Sequence, residues 1–274
     1  MLLRVLFLCL LALPALAENS QRHLMTDTEQ AEWPAVGRLN VGGQGHCTAT
    51  LIAPDLVLTA AHCVYNRRTA AMWRPERLHF LPGYRKGDYL AHGIGAALIA
   101  PDCEVTEHIS ECDIILIRLA EPMPATIEPV PPALSVHVGD RVDTLSYGRD
   151  RSQLLSRQSD CRITKRRDML LLTDCEATPG VSGAPLVITS PHGPKVAGVI
   201  SAVIDAAPPA IRGDALAVST DQVTLERLFQ ENRVPRGSSR SPLDSRKSLP
   251  KSVSSGRRFG FRYANRPVQM EGFT

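Results

Sequence analysis

From Trp33 onward, apolar residues gather in short runs rather than at helical spacing. Ala49–Ile52, Leu56–Ala60, Ala96–Ala100, Ile114–Leu119, Met169–Thr173, Leu186–Thr189 and Val196–Ile204 are the clearest of them. Gly42-Gly43, Ala53-Pro54-Asp55, Pro82-Gly83 and Pro191-His192-Gly193-Pro194 punctuate the series. Runs of that length between turn residues predict strands, and many such strands predict an all-β barrel or sandwich. Glu121–Pro132 carries five prolines in twelve residues, and so stiff a chain predicts a crossover between two subdomains. One helix is predicted over 220–232, where Val223 and Leu228 fall near helical spacing and Thr220 or Ser219 can cap it. Residues 18–32 are polar and aperiodic, and read as a loose N-terminal segment or short propeptide. Residues 233–274 are rich in Ser, Arg, Gly and Pro and are expected to be a basic, disordered tail. No internal repeat is visible.

The first 17 residues stand apart. Arg4 precedes the apolar stretch Val5–Leu13, and Ala15-Leu16-Ala17 follows with small residues flanking a cleavage position. This is the pattern of a signal peptide cut after Ala17. A membrane anchor would need about 20 apolar residues, and Pro14 and Glu18 end the run first. The mature chain is therefore expected to be exported, to an extracellular or periplasmic space, with no transmembrane segment.

Composition changes this picture little. A chain of 274 residues with 43% hydrophobic and 22% charged residues can bury a core, which excludes wholesale disorder, a collagen or a polytopic membrane protein. The net charge of +3 conceals an asymmetry, because the stretch from Asn232 holds ten Lys or Arg against two acidic residues. A mildly acidic body thus carries a basic tail. Its Arg257-Arg258-Phe259-Gly260-Phe261-Arg262 stretch suits a weak electrostatic contact with anionic surfaces.

Export also decides how the cysteines read. Cys9 leaves with the leader, so Cys47, Cys63, Cys103, Cys112, Cys161 and Cys175 remain. In an oxidising compartment an even number favours disulfides, and with no CxxC pair no metal site is expected. Six cysteines leave 15 pairings open. The simplest joins neighbours: Cys47–Cys63, Cys103–Cys112 and Cys161–Cys175.

Three segments carry chemistry. Leu58-Thr59-Ala60-Ala61-His62-Cys63 sets a histidine just after an apolar strand. Asp113 stands at the mouth of the strand Ile114–Leu119. Thr178-Pro179-Gly180-Val181-Ser182-Gly183-Ala184-Pro185 sets a serine between glycines. Alone, each has a plainer reading: a structural histidine, a turn aspartate, a flexible loop. Together and in this order they resemble the chymotrypsin-like (trypsin-fold) serine peptidases over residues 33–232. Ser201 in Gly198-Val199-Ile200-Ser201 and Ser146-Tyr147-Gly148 add to the likeness. The short spacing from Asp113 to Ser182 and the Thr-Pro-Gly lead-in look bacterial rather than animal.

The resemblance implies two six-stranded antiparallel Greek-key barrels, about 33–120 and 130–219, with a C-terminal helix. It implies a secreted endopeptidase that needs no cofactor, acts on protein or peptide substrates and works as a monomer. Ser182 would be the nucleophile, His62 its base and Asp113 the partner of the imidazole, with Ser201 supporting Asp113. Backbone N–H groups of Gly180 and Ser182 would form the oxyanion hole, and Cys47–Cys63 the histidine-loop disulfide. Glu176, Ala177 and Val203 fall at substrate-pocket positions, Glu176 where trypsin-type enzymes bind Lys or Arg. Ile200 stands where glutamate-specific relatives carry histidine. The alternative is a catalytically silent binding module of the same fold. A Ser-based α/β-hydrolase is excluded by motif order, since that fold places its serine first.

One departure concerns activation. Animal relatives carry an aspartate before the nucleophile that pairs with a freshly cut N-terminus, and here that position is Val181. The N-terminal segment is thus expected to stay outside, so that chains beginning at Glu18, at Met25 or after an added tag turn over alike.

Overall fold

The computed structural model describes residues 21–43, 45–101, 112–204 and 213–229. The leader, the basic tail and the expected Cys103–Cys112 pair, through Cys103, lie outside these residues.

Six strands build the first barrel: β1 Val36–Val41, β2 Gly45–Ala53, β3 Leu56–Thr59, β4 Leu78–Pro82, β5 Gly93–Ile99 and β6 Ile115–Leu119. They close in the order β1-β2-β3-β6-β5-β4, every neighbour antiparallel. Closure leaves no sheet edge exposed to pairing. Leu39, Leu51, Leu58, Phe80, Ile115 and Ile117 fill the interior and are all buried. Their side chains alternate inward along the strands as the pleat requires. Gly42 and Gly43 have φ of 53° and 73°, which lets the chain reverse tightly between β1 and β2.

The second barrel consists of β7 Arg141–Ser146, β8 Ser156–Arg167, β9 Leu170–Ala177, β10 Pro185–Ser190, β11 Gly193–Ile204 and β12 Gly213–Ser219. It closes in the order β7-β8-β9-β12-β11-β10, the same cyclic order as the first. The fold is therefore two closed six-stranded antiparallel barrels of one topology, although the sequence shows no repeat. Cys161 on β8 bonds Cys175 on β9, and both are fully buried. Val196, Val199, Leu216 and Val218 of the second barrel join the apolar cluster of the first, so the two cores meet along one seam.

The proline-rich crossover, with one turn closed by the Ile127 N–H on Pro124, links the two barrels. The Val130 N–H donates to Leu51 of the first barrel and the Val196 N–H of the second donates to Pro131. A short helix, α2 Gln222–Phe229, follows β12. Its cap differs from the sequence expectation, for the Thr224 N–H is taken by Asp221 at 2.9 Å. Thr220 instead donates its hydroxyl to the Val196 carbonyl, and Ser219 accepts from the Asp221 N–H.

The larger correction is at the N-terminus. Residues 21–32 are not loose. His23–Leu24 pairs with Ser156 and Arg157 of β8. Thr26 then caps a short helix, α1 Asp27–Ala31, with Glu29 reaching back to the Thr26 N–H. Met25 is 2% exposed and packs in a third apolar cluster with Trp33, Tyr84, Leu145 and Tyr147. Gln30 donates to the carbonyls of Gly83 and Tyr84. A polar segment hides such an arm because its anchors are hydrogen bonds and one methionine rather than an apolar period. The reciprocal Thr26-x-x-Glu29 cap was the readable signal.

Candidate active site

His62 and Asp113 are 51 residues apart yet leave the first barrel side by side. Thr59, the last residue of β3, pairs with Ile115, the first of β6. Antiparallel neighbours put the exit of one strand beside the entrance of the other. A single 3₁₀ turn, Ala61–Val64, then lifts His62 over the rim, with Ala60 and Ala61 wholly buried beneath it.

The two side chains meet closely. The His62 backbone N–H donates to Asp113 Oδ1 at 2.8 Å, and His62 Nδ1 lies 2.7 Å from Oδ2. A carboxylate only accepts, so Nδ1 carries the proton and Nε2 of the neutral ring holds a lone pair. Ser201 donates its hydroxyl to the same Oδ2. It sits where the β11–β12 register slips between Ile200 and Ala202, and that bulge aims the side chain at Asp113. Burial, the largest influence on Asp113, opposes its charge, but the His62 charge and these hydrogen bonds prevail and hold its pKa below the ordinary carboxylate value. Burial likewise works against a charged His62. The Asp113 charge and hydrogen bond outweigh it, with Arg67 opposing, and the imidazole pKa is raised.

Ser182 arrives from the second barrel, between β9 and β10. Its carbonyl accepts the Thr48 N–H at 3.0 Å, and the Gly183 N–H donates to Ile200 at 2.8 Å. Gly183 has φ of 79° and lies directly on the first barrel. A Cβ there would stand 2.1 Å from the Thr48 carbonyl oxygen and 2.2 Å from Thr59 Oγ1. Only glycine permits that approach. Thr48 follows Cys47, which is bonded to Cys63 beside His62. One disulfide and one backbone hydrogen bond thus tie the serine loop to the histidine turn. By loop-closure entropy a 16-residue bridge contributes about 3 kcal/mol. Cys47, His62 and Cys63 offer ligand atoms within 4.8 Å of one another, but both sulfurs are spent in the disulfide and supply no thiolate.

Thr178–Val181 forms a tight turn, with the Val181 N–H donating to Thr178 at 3.2 Å. Gly180 takes φ of 95° in it, as the third position of a type II turn requires. Among the described residues, the N–H groups of Gly180 and Ser182 have no acceptor. Val181 is buried in the second-barrel core, together with Ala177 and Ile200, and Val203 packs against that cluster. Glu176 on β9 is partly buried, and its backbone N–H donates to Gln158.

Sequence reasoning gave no role to Thr48, whose N–H donates to the Ser182 carbonyl, or to Thr59, whose hydroxyl donates to the Thr48 carbonyl. Their signal is only position, Thr48 beside Cys47 and Thr59 within the histidine segment itself. It also missed Arg22, whose guanidinium reaches Thr178 and Asp150.

The same architecture occurs in solved structures. One is a Glu endopeptidase determined in complex with MPD, with a TM-score of 0.62 and 17% identity, the match covering 78% of this chain and 97% of that one. Another is AL20, a thermostable serine protease from an extremophilic microorganism, with a TM-score of 0.59 and 17% identity, covering 73% of this chain and 98% of that one. Identities that low speak for the shared two-barrel fold. The family model for trypsin matches residues 25–220, which include both barrels, the histidine turn and the serine loop. The chain belongs to the trypsin family.

Proposed function

We propose that this protein is a secreted serine endopeptidase in which Ser182, His62 and Asp113 cleave peptide bonds through an acyl-enzyme. The observation that carries the reading is the Asp113 carboxylate, which takes the His62 backbone N–H on one oxygen and both Nδ1–H and the Ser201 hydroxyl on the other. That arrangement fixes one tautomer and leaves Nε2 to act as base. Ser182 Oγ bonds to the scissile carbonyl carbon as its proton passes to Nε2. The carbonyl oxygen becomes an oxyanion, for which the N–H groups of Gly180 and Ser182 are the donors. Its collapse breaks the C–N bond while Nε2 returns the proton to the leaving amine. Water, deprotonated by the same nitrogen, then cleaves the ester, freeing the acid and restoring the serine.

The two described disulfides fit an oxidising compartment, as export requires. No helix among the described residues is long and apolar enough to cross a membrane.

The test is labelling with a fluorophosphonate, followed by mapping of the modified peptide. Label on Ser182, lost after prior denaturation, is the expected result. A folded chain that takes no label would instead be the silent binding module.

A pH profile checks the base. Only neutral His62 can take the serine proton, so kcat/KM is expected to fall as pH drops through a midpoint above the ordinary imidazole value of about 6.5. A profile that stays flat down to about pH 5 would exclude a histidine base. The stability signs differ between the partners. His62, raised on folding, contributes fully below its unfolded value and ceases to as pH rises through its folded one. Asp113, lowered, contributes above its unfolded value and ceases to as pH falls through its folded one.

A further inference from the structure

We propose that Arg22, in the N-terminal arm, is a positioning residue for the oxyanion turn, setting the direction of the Gly180 N–H. The inference rests on the peptidase reading above.

The Arg22 side chain is 2% exposed. Nη1 donates to Thr178 Oγ1 at 3.3 Å and Nη2 to Asp150 Oδ2 at 2.5 Å. The Arg22 carbonyl in turn accepts from Arg151 Nη1 at 2.9 Å. One guanidinium therefore bridges two turns, Gly148–Arg151 and Thr178–Val181. Space is made for it at Gly148, where a Cβ would stand 2.6 Å from Arg22 Nη1. The arm itself is secured by the pairing of His23–Leu24 with β8 and by buried Met25.

Between those turns lies the contact that concerns catalysis. The Arg149 N–H donates to the Pro179 carbonyl at 2.9 Å. In a trans peptide the carbonyl and the following N–H point in opposite directions. Holding the Pro179 oxygen toward Arg149 therefore directs the Gly180 N–H away from it. Rotation of that single peptide is what separates a type II turn from type I, and it would remove one oxyanion donor. Arg22 restrains the rotation from both sides, through Thr178 at the head of the turn and through Asp150, one residue from Arg149.

Burying a cation here for stability alone is a poor solution. Its Nε is enclosed with no partner, and an apolar side chain would fill the space at lower cost. What only the planar fork supplies is a simultaneous hold on two turns. Val181, buried among apolar residues, offers no charge for a freshly cut terminus. The tie comes instead from a side chain within the arm. The expectation that chains from Glu18 and from Met25 turn over alike is accordingly reversed, since a start at Met25 removes Arg22.

The test compares the chain from Glu18 with its Arg22→Met and Arg22→Ala variants. Arg22→Met keeps the volume and is expected to melt close to the parent. Its kcat on a peptide anilide should fall at least about tenfold with KM little changed, the mark of a lost transition-state donor. Phosphonylation of Ser182, which also needs that donor, should slow by a similar factor. Millimolar guanidinium should restore part of the kcat of Arg22→Ala and leave the parent unchanged. A labelled, active parent with an unimpaired Arg22→Met overturns this proposal and leaves the peptidase reading standing, as does a folded Arg22→Ala that guanidinium does not rescue. A parent that takes no label overturns both.

Discussion

Ser182→Ala or His62→Ala is expected to reduce peptide hydrolysis by about 10⁴- to 10⁶-fold, and the double variant by no more than either alone. In the proposed mechanism nucleophile and base act as one unit, so removing either removes the step. Both variants should stay folded. The serine loop is held by backbone groups, through the Ser182 carbonyl on Thr48 and the Gly183 N–H on Ile200, and alanine retains both. His62→Ala likewise keeps the backbone N–H that Asp113 accepts. The measurement is kcat/KM on a peptide anilide with purified protein, beside a melting curve. A Ser182→Ala chain within tenfold of the parent at equal purity would remove the serine from the mechanism.

The contrast between what the sequence discloses and what it conceals follows from the interactions responsible. Leu56–Ala60 and Ile114–Leu119 are read as apolar runs and appear as β3 and β6, because strands buried in a barrel must be apolar on their inner face. β8 carries no such run. Its sequence, Ser-Arg-Gln-Ser-Asp-Cys-Arg-Ile-Thr-Lys-Arg-Arg, holds little apolar surface, yet Ser156, Gln158, Cys161 and Ile163 all turn inward. A disulfide to Cys175 and ladders on two sides hold it where hydrophobicity would not.

The pair of like barrels was implied by the resemblance alone, and their shared strand order leaves no local pattern for a related reason. Topology is preserved by hydrogen-bond pairing, which leaves almost no constraint on residue identity beyond inward and outward alternation. For the site, sequence named His62 and Asp113 only through resemblance. Nothing in their local patterns places them together; the pairing of Thr59 with Ile115 does. Arg22 lay in a segment without period, and its partners Asp150 and Thr178 are 128 and 156 residues away. A lone long-range contact of that kind leaves no mark on local patterning.

The second large effect is expected from Asp113→Asn, a change of one atom in near-constant volume. The carboxylate accepts three hydrogen bonds, one on Oδ1 from the His62 backbone and two on Oδ2, from Nδ1–H and from Ser201. An amide has one oxygen and one NH₂, and neither orientation satisfies this set. With its oxygen at the Oδ2 place, the NH₂ faces the His62 backbone N–H, and two donors oppose each other. With its oxygen at the Oδ1 place, the NH₂ faces Nδ1, which must then accept. The imidazole proton moves to Nε2, where the lone pair is needed, and the serine loses its base. The negative charge that favours the imidazolium also disappears, so the His62 pKa should fall toward or below the ordinary value. At neutral pH kcat is expected to drop about 10⁴-fold, with KM little altered because Asp113 lies behind the ring from the substrate. Ser201→Ala, which removes one of the two bonds to Oδ2 and leaves the tautomer in place, should cost far less. Steady-state kinetics of the two variants, with His62 titrated by its ring-proton resonances, separate the effects. An Asp113→Asn enzyme within tenfold of the parent, or one no worse than Ser201→Ala, would show that tautomer control by this carboxylate is not what activates the serine.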